Sequence, residues 1–244
     1  HSERGRIGAM AKDTVAEISA ETVQWVKSHA KEAVERFAGS YPSAQGKAIS
    51  IFMAGSPGAG KTELSKNLVA LLEKDNRRIV RIDPDEIREW LPMYIAGKAE
   101  LFQSGVAVAV EKIHDHVLTA NKHFLLDGTS AGLDKLRSNI LRSLDKDRAV
   151  VIEYVYQDPD VAWDFTQKRE QVEGRNIPKH SFVDQLFAAY ANVETVKQEF
   201  GERIEVDLIQ RNIQTGEYMT QFNIHTIAEH LSLPYTKEEL AKRL

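Results

Sequence analysis

The sequence predicts an α/β chain. Its mainly parallel five-stranded sheet is flanked by helices, with one further antiparallel edge strand as an option. Two observations carry this reading. Short apolar runs rich in Ile, Val, Leu and Phe alternate with stretches of helical periodicity from Ile49 to the C-terminus. Strands separated by helices pair in parallel, and both faces of such a sheet are covered. The first apolar run, Ile49-Ser50-Ile51-Phe52-Met53-Ala54, also leads straight into Gly55-Ser56-Pro57-Gly58-Ala59-Gly60-Lys61-Thr62, and a helical pattern (Leu64, Leu68, Leu71, Leu72) leads out of it.

The elements follow in order. His1 to Ala9 has the look of an expression-tag remnant before Met10, so residues 1–10 are set aside. Residues 11–46 read as an N-terminal helix and linker packed on the core, and 47–244 as the nucleotide-binding domain. In the helix, Val15, Ile18, Thr22, Val26, Ala30, Val34 and Phe37 recur at steps of three and four over Thr14 to Phe37. Its apolar face has two readings, the outside of the sheet or a docking surface for a partner. Arg78 to Ile82 is the second strand, ending at Asp83-Pro84-Asp85, and a short helix over Glu86 to Trp90 precedes an irregular stretch to Gln103. Val106 to Asn121 is helical, His123 to Leu126 a strand, Leu133 to Leu144 a helix and Ala149 to Tyr156 a strongly β-forming strand. Helices over Pro159 to Val172 and Ser181 to Phe200 flank a loop at Gly174 to Pro178. Ile204 to Ile209 is the fifth strand, Glu217 to Phe222 the optional edge strand, and two short helical segments close the chain.

Composition excludes several classes. The 244 residues suffice for a real core, and 42% hydrophobic and 28% charged residues are ordinary for a water-soluble fold. A net charge of −4 gives no electrostatic reason to expect nucleic acid or an anionic membrane. The absence of cysteine removes disulfides, thiolate metal sites and cysteine nucleophiles. No apolar stretch could span a bilayer or serve as a signal peptide, so a cytoplasmic protein is expected.

Gly55 to Thr62 satisfies the P-loop pattern at every fixed position, between a strand and a helix as the motif requires. Glycines let backbone N–H groups turn onto phosphate oxygens at a helix N-terminus. Lys61 then reaches the β- and γ-phosphates, and the Thr62 hydroxyl can sit on Mg²⁺. Asp83 and Asp85 follow the second strand, where a carboxylate can accept a proton from an acceptor hydroxyl. Only one of them can do so, and Asp85 is equally placed to cap the helix that begins there. Asp127 ends the third strand as a Walker-B-like acid. It can hold Mg²⁺ through water, bind the acceptor, or simply serve an Asp-Gly turn, with Thr129 on the same side. Metal contacts are thus expected from Thr62, Asp83 and Asp127. Arg169 and Arg175, the latter beside Gly174, suit a closing lid that brings cations to a transferring phosphoryl group. The competing reading is a solvated helix face. His114 and His116, two apart on a helix, are not a metal pair, and His180 reads as a surface residue. Asn121-Lys122-His123-Phe124 lacks the Asp of a guanine-recognition motif, and no protein-kinase His-Arg-Asp or Asp-Phe-Gly element is present.

The order and spacing of Gly55–Thr62, Ile82-Asp83-Pro84-Asp85-Glu86-Ile87, Pro92, Tyr94, Glu111, Leu126-Asp127-Gly128-Thr129, Arg169 and Gly174-Arg175-Asn176-Ile177-Pro178 resemble the zeta toxin family. The resemblance runs from the first strand to the fifth. It implies a P-loop kinase fold and phosphorylation of the 3′-hydroxyl of the amino sugar of UDP-N-acetylglucosamine with ATP and Mg²⁺. It also implies toxicity through cell-wall synthesis and a small helical antitoxin that blocks the nucleotide site. Position by position it makes Asp85 the base, Lys61 the P-loop lysine, and Arg169 and Arg175 the phosphoryl-stabilising arginines. Glu111 and Asp127, with Thr129 beside them, become the lining of the amino-sugar pocket. One departure stands out: Asp127 occupies a position where family members carry Glu. Relatives of the fold phosphorylate other acceptors, including the adenosine ribose of NAD, so NAD, another nucleotide or an antibiotic is the alternative acceptor class. A nucleotide-binding interaction protein is the alternative outside enzymes.

Overall fold

A computed structural model describes residues 3–173, 176–212 and 215–244. The chain opens with α1 (Glu3–Ser28), α2 (Ala30–Val34) and a π-helical turn over Glu35–Gly39. The helix therefore begins well upstream of Thr14 and runs past Met10. Then come β1 (Ile49–Ala54), α3 (Lys61–Lys74), β2 (Ile79–Ile82), α4 (Pro84–Trp90), a 3₁₀ turn at Ala99–Phe102, and α5 (Gln103–Thr119). β3 (His123–Leu126), α6 (Leu133–Leu144), β4 (Ala149–Tyr156), α7 (Pro159–Glu173) and α8 (Lys179–Phe200) follow. β5 (Glu205–Arg211), β6 (Tyr218–Gln221) and α9 (Lys237–Arg243) complete the order.

The sheet has six strands in the order β2-β3-β1-β4-β5-β6. The first five are parallel and β6 returns antiparallel to β5, the edge strand the sequence allowed for. Parallel pairing fits the composition. Strands such as Ala149–Tyr156 are buried along most of their length because helices cover both faces. Ile51, Met53, Ile79, Leu125 and Val155 pack under the apolar stripe of α3. Phe52, Val80, Ile82, Phe124, Ile152 and Leu208 pack with the inward faces of α5, α6 and α8 on the other side. Because β1 lies between β3 and β4, the loop that leaves it sits at the centre of the sheet's C-terminal edge, where ligands of open α/β sheets bind.

The N-terminal helix packs on α5. Thr22 and Val26 are fully buried, and a side-chain carbon on Gly105 would lie 2.2 Å from the Thr22 methyl carbon, so only glycine lets the two helices meet this closely. The middle of this face is thus covered within the chain, while Val15 nearer the N-terminus stays exposed. Trp25 stacks on His29 at 4.0 Å and meets Trp90 at 4.9 Å, while Phe37 reaches Trp90 edge-on at 6.0 Å. Trp90 ends α4, so the N-terminal helices buttress the far end of the helix that carries Asp85.

Candidate functional site

The glycine loop leaves β1 with Gly55 at φ 138, Gly58 at φ 72 and Gly60 at φ 92, conformations that side chains disfavour. Space gives a second reason for glycine. A side-chain carbon on Gly55 would lie 2.3 Å from the Val155 carbonyl oxygen, and one on Gly58 would lie 2.0 Å from that of Ala162. β4 and α7 are thus built directly against the loop. Lys61 opens α3, where the first N–H groups have no helical acceptor and favour an anion. Its ammonium donates to the Ser56 carbonyl at 2.5 Å, which folds the lysine back over its own loop. From the other side, the Gly55 N–H donates to the Thr129 carbonyl at 3.1 Å and the Ser130 hydroxyl to the Met53 carbonyl at 2.9 Å. Thr129 therefore anchors the loop through its backbone.

The acids at the ends of β2 and β3 are arranged differently from the sequence expectation. Asp83, not Asp85, caps α4: its Oδ1 accepts the Asp85 N–H at 2.8 Å, with Pro84 in the first helical position. Its Oδ2 accepts from Arg81 at 2.7 Å. The same Arg81 nitrogen donates to Asp127 Oδ2, also at 2.7 Å. Arg81 further donates to the Ser65 hydroxyl at 2.9 Å and to Glu86 at 2.6 Å, and Ser65 donates to Asp127 at 2.9 Å. Burial would lower the Arg81 pKa, but the charges of Asp83 and Asp127 outweigh it and keep the guanidinium protonated. Burial pushes the Asp83 carboxyl upward, against the pull of Arg81 and the Asp85 amide. Asp83 and Asp127, expected with Thr62 to contact a metal, share the guanidinium of Arg81. Among the described residues no group of three or more His, Asp or Glu could hold a metal. The Thr62 hydroxyl in the first turn of α3 remains a suitable oxygen ligand for Mg²⁺ accompanying phosphates. The sequence reading did not single out Arg81, whose signal was a charge standing between Val80 and Ile82 in an otherwise apolar strand.

With the cap assigned to Asp83, Asp85 keeps a carboxylate that is one-third exposed. Arg88 donates to its Oδ1 at 2.6 Å, and Arg169 of α7 stands 3.6 Å from Oδ2. The first half of α7 lies against the phosphate loop through Ala162 and Thr166, and Arg169 stands further along the same helix. Gly174 and Arg175 lie outside the described residues. Glu111 takes other partners than Asp127 does. It pairs across to α6 with Lys135 and, at 3.2 Å, with Arg142. Burial would raise the Glu111 pKa, but the Lys135 hydrogen bond and the charges of Lys135 and Arg142 hold it below the usual carboxylate range. His114 is fully buried against Phe52 and Phe124, and burial with the Arg142 charge lowers its pKa to about 4, so it is a neutral core residue at pH 7. His180 is exposed, as its reading implied.

The Zeta toxin family model matches residues 12–221. No curated protein sequence matches the chain. Among solved structures, a chain of the PezAT chromosomal toxin-antitoxin system of Streptococcus pneumoniae superposes with a TM-score of 0.64 at 17% identity, covering 88% of this chain and 92% of that one. The AvrRxo1-ORF1:AvrRxo1-ORF2 complex with ATP gives a TM-score of 0.60 at 14% identity, over 90% of this chain and 74% of that one. At such identities the superpositions establish a common fold.

Proposed function

The chain belongs to the zeta toxin family, and from that premise we propose that it transfers the γ-phosphoryl group of ATP to the 3′-hydroxyl of the amino sugar of UDP-N-acetylglucosamine, as a toxin against cell-wall synthesis. The observation that carries the reading is the placement of Asp85. It opens α4 with its carboxylate partly exposed and stands between Arg88 and an arginine on the helix that contacts the phosphate loop. A base must reach the acceptor hydroxyl while cations meet the moving phosphoryl group, and Asp85 and Arg169 on neighbouring helices support that reading.

The steps follow from the groups present. Lys61 leaves the Ser56 carbonyl for the β- and γ-phosphates, while the loop N–H groups hold the phosphate chain. Asp85 takes the hydroxyl proton as the acceptor oxygen attacks the γ-phosphorus and ADP departs. Arg169, with Arg175 as the second family arginine, neutralises the charge on the equatorial oxygens. Mg²⁺ bound with the nucleotide would supply further charge neutralisation, and Thr62 is the residue that would hold it. A small helical antitoxin that covers the nucleotide site is the partner the family implies. No helix among the described residues is long and apolar enough to cross a membrane.

Mass spectrometry of UDP-N-acetylglucosamine incubated with the chain, ATP and Mg²⁺ tests this. The expected result is a gain of one phosphate, located on the 3′-hydroxyl by NMR. Asp85→Asn should lower turnover by about 10²–10⁴-fold with ATP affinity within about twofold. A variant turning over at the wild-type rate would remove Asp85 from the role of base. NAD is the second acceptor to try, because Asp127 is committed to Arg81 and Ser65 and stands where relatives carry the longer Glu. Tight ATP binding with no transfer to any acceptor would favour a nucleotide-binding interaction protein.

A further inference from the structure

Beside the phosphate loop, two aromatic rings from different elements flank one guanidinium, and the ammonium of Lys168 also lies 5.7 Å from the ring centre of Phe165. Arg211 closes β5, and its guanidinium carbon lies 5.9 Å from the ring centre of Phe165 on α7 and 5.7 Å from that of Tyr218, the first residue of β6. Two contacts tie this group to the loop. The Tyr218 hydroxyl lies 3.4 Å from where a side-chain carbon on Gly60 would sit. That hydroxyl is shielded from solvent and has no hydrogen-bond partner among the described residues. On the other side, Ala162 and Thr166 of α7 meet the loop at Gly58, which sets Phe165 between them in the chain. Phe165 is also one helical turn before Arg169, on the same face of α7, and Arg169 reaches Asp85. Phe165 keeps 39% of its surface exposed, although it is a large apolar ring next to a buried loop.

We infer that Phe165 and Arg211 form the platform for the nucleobase of the bound nucleoside triphosphate, a purine held by its flat face, with Tyr218 backing Arg211 against the loop. This rests on the nucleotide-binding reading of Gly55–Thr62. An aromatic ring and a guanidinium both stack on a π-face, and such stacking accepts any base with enough surface. The platform therefore prefers purines to pyrimidines and treats adenine and guanine alike. In this reading the phosphates are held by the loop and the base by a separate set of side chains. The two halves of the ligand can thus be measured apart.

Calorimetric titration of the full chain with ATP, GTP and inorganic tripolyphosphate is the test. Phe165→Ala should weaken ATP and GTP binding about tenfold each and leave tripolyphosphate within about twofold, and Phe165→Trp should restore nucleotide affinity. Unchanged ATP affinity in Phe165→Ala, with the wild type binding normally, would overturn the platform and leave the phosphate-loop reading intact. Equal weakening of ATP and tripolyphosphate would also overturn it, since Phe165 would then act by holding α7 against the loop. A wild-type chain that binds neither ligand would overturn the nucleotide reading and this inference together.

Discussion

Arg81 and Arg148 are both largely buried arginines on the same sheet, at opposite ends of its strands, and they are satisfied in opposite ways. Arg81, at the C-terminal end, meets Asp83, Asp127, Glu86 and Ser65. Arg148, at the N-terminal end, has no carboxylate among its described contacts. It donates to the Ser50 hydroxyl at 2.7 Å, the Ile49 carbonyl at 3.1 Å and the Lys122 carbonyl, and it lies 5.0 Å from the Phe124 ring centre. Burial lowers its pKa to about 10. Nearby, Lys122 donates to the Ala38 carbonyl at 2.8 Å. The difference follows from chain direction. Helices return to the strand N-termini with their carbonyl ends, which suit cations, and they leave the strand C-termini with their N–H ends, which suit anions. One end of the sheet is thus a clamp, and the other collects the strand-end acids and the glycine loop.

Three measurements can break or sharpen that contrast. The largest effect should come from Arg169→Ala, which removes the cation proposed to meet the phosphoryl group. Turnover should fall by about 10²–10³-fold, while stability in urea stays within about 0.5 kcal/mol because the side chain is 43% exposed. A large loss of stability would show that this end also holds the fold. Next, Arg148→Met should cost about 2–4 kcal/mol of unfolding free energy, since buried carbonyls lose their donor, and should leave ATP affinity unchanged. A neutral result would reduce the clamp to a packing accident. The smallest effect concerns Glu153, a buried acid facing Asp207 and Glu205 without a cation among its described contacts. Burial, with those two carboxylates, raises its pKa to about 8. The folded form binds this proton more tightly than the unfolded chain. The stabilisation is complete below about pH 4.5 and is lost as pH rises through 8. Between pH 6.5 and 8, above the range in which His114 titrates, the loss should be about 2 kcal/mol. Urea melts of Glu153→Gln should show that slope removed.

Much of the fold was legible because the local signals agreed with one another. β3, β4 and α6 begin and end where apolar runs and helical periodicity place them. The glycine loop was legible in full, since its spacing encodes both a backbone conformation and a close approach to neighbours. What stayed hidden depends on distance through space. Asp83 and Asp85 look alike as strand-end acids. Pro84 at the first helical position was the local clue to which one caps, but the pairing of Asp83 with Asp127 spans two strands and needs the sheet order. Glu111 turns to Lys135 and Arg142 because α5 and α6 lie side by side, an adjacency absent from any stretch of sequence. The purine platform likewise joins residues from α7, β5 and β6 that no local pattern connects.

The fit of Thr22 against Gly105 has a consequence for the order in which the polypeptide is made. A ribosome releases α1 before α5, and the groove that receives it exists only after about eighty further residues have been added. At about 5–20 residues per second this interval is on the order of 4–16 s, during which an amphipathic helix waits with its apolar stripe uncovered. The closing contact of the N-terminal region is therefore a late event in biogenesis, set by elongation speed rather than by helix formation itself.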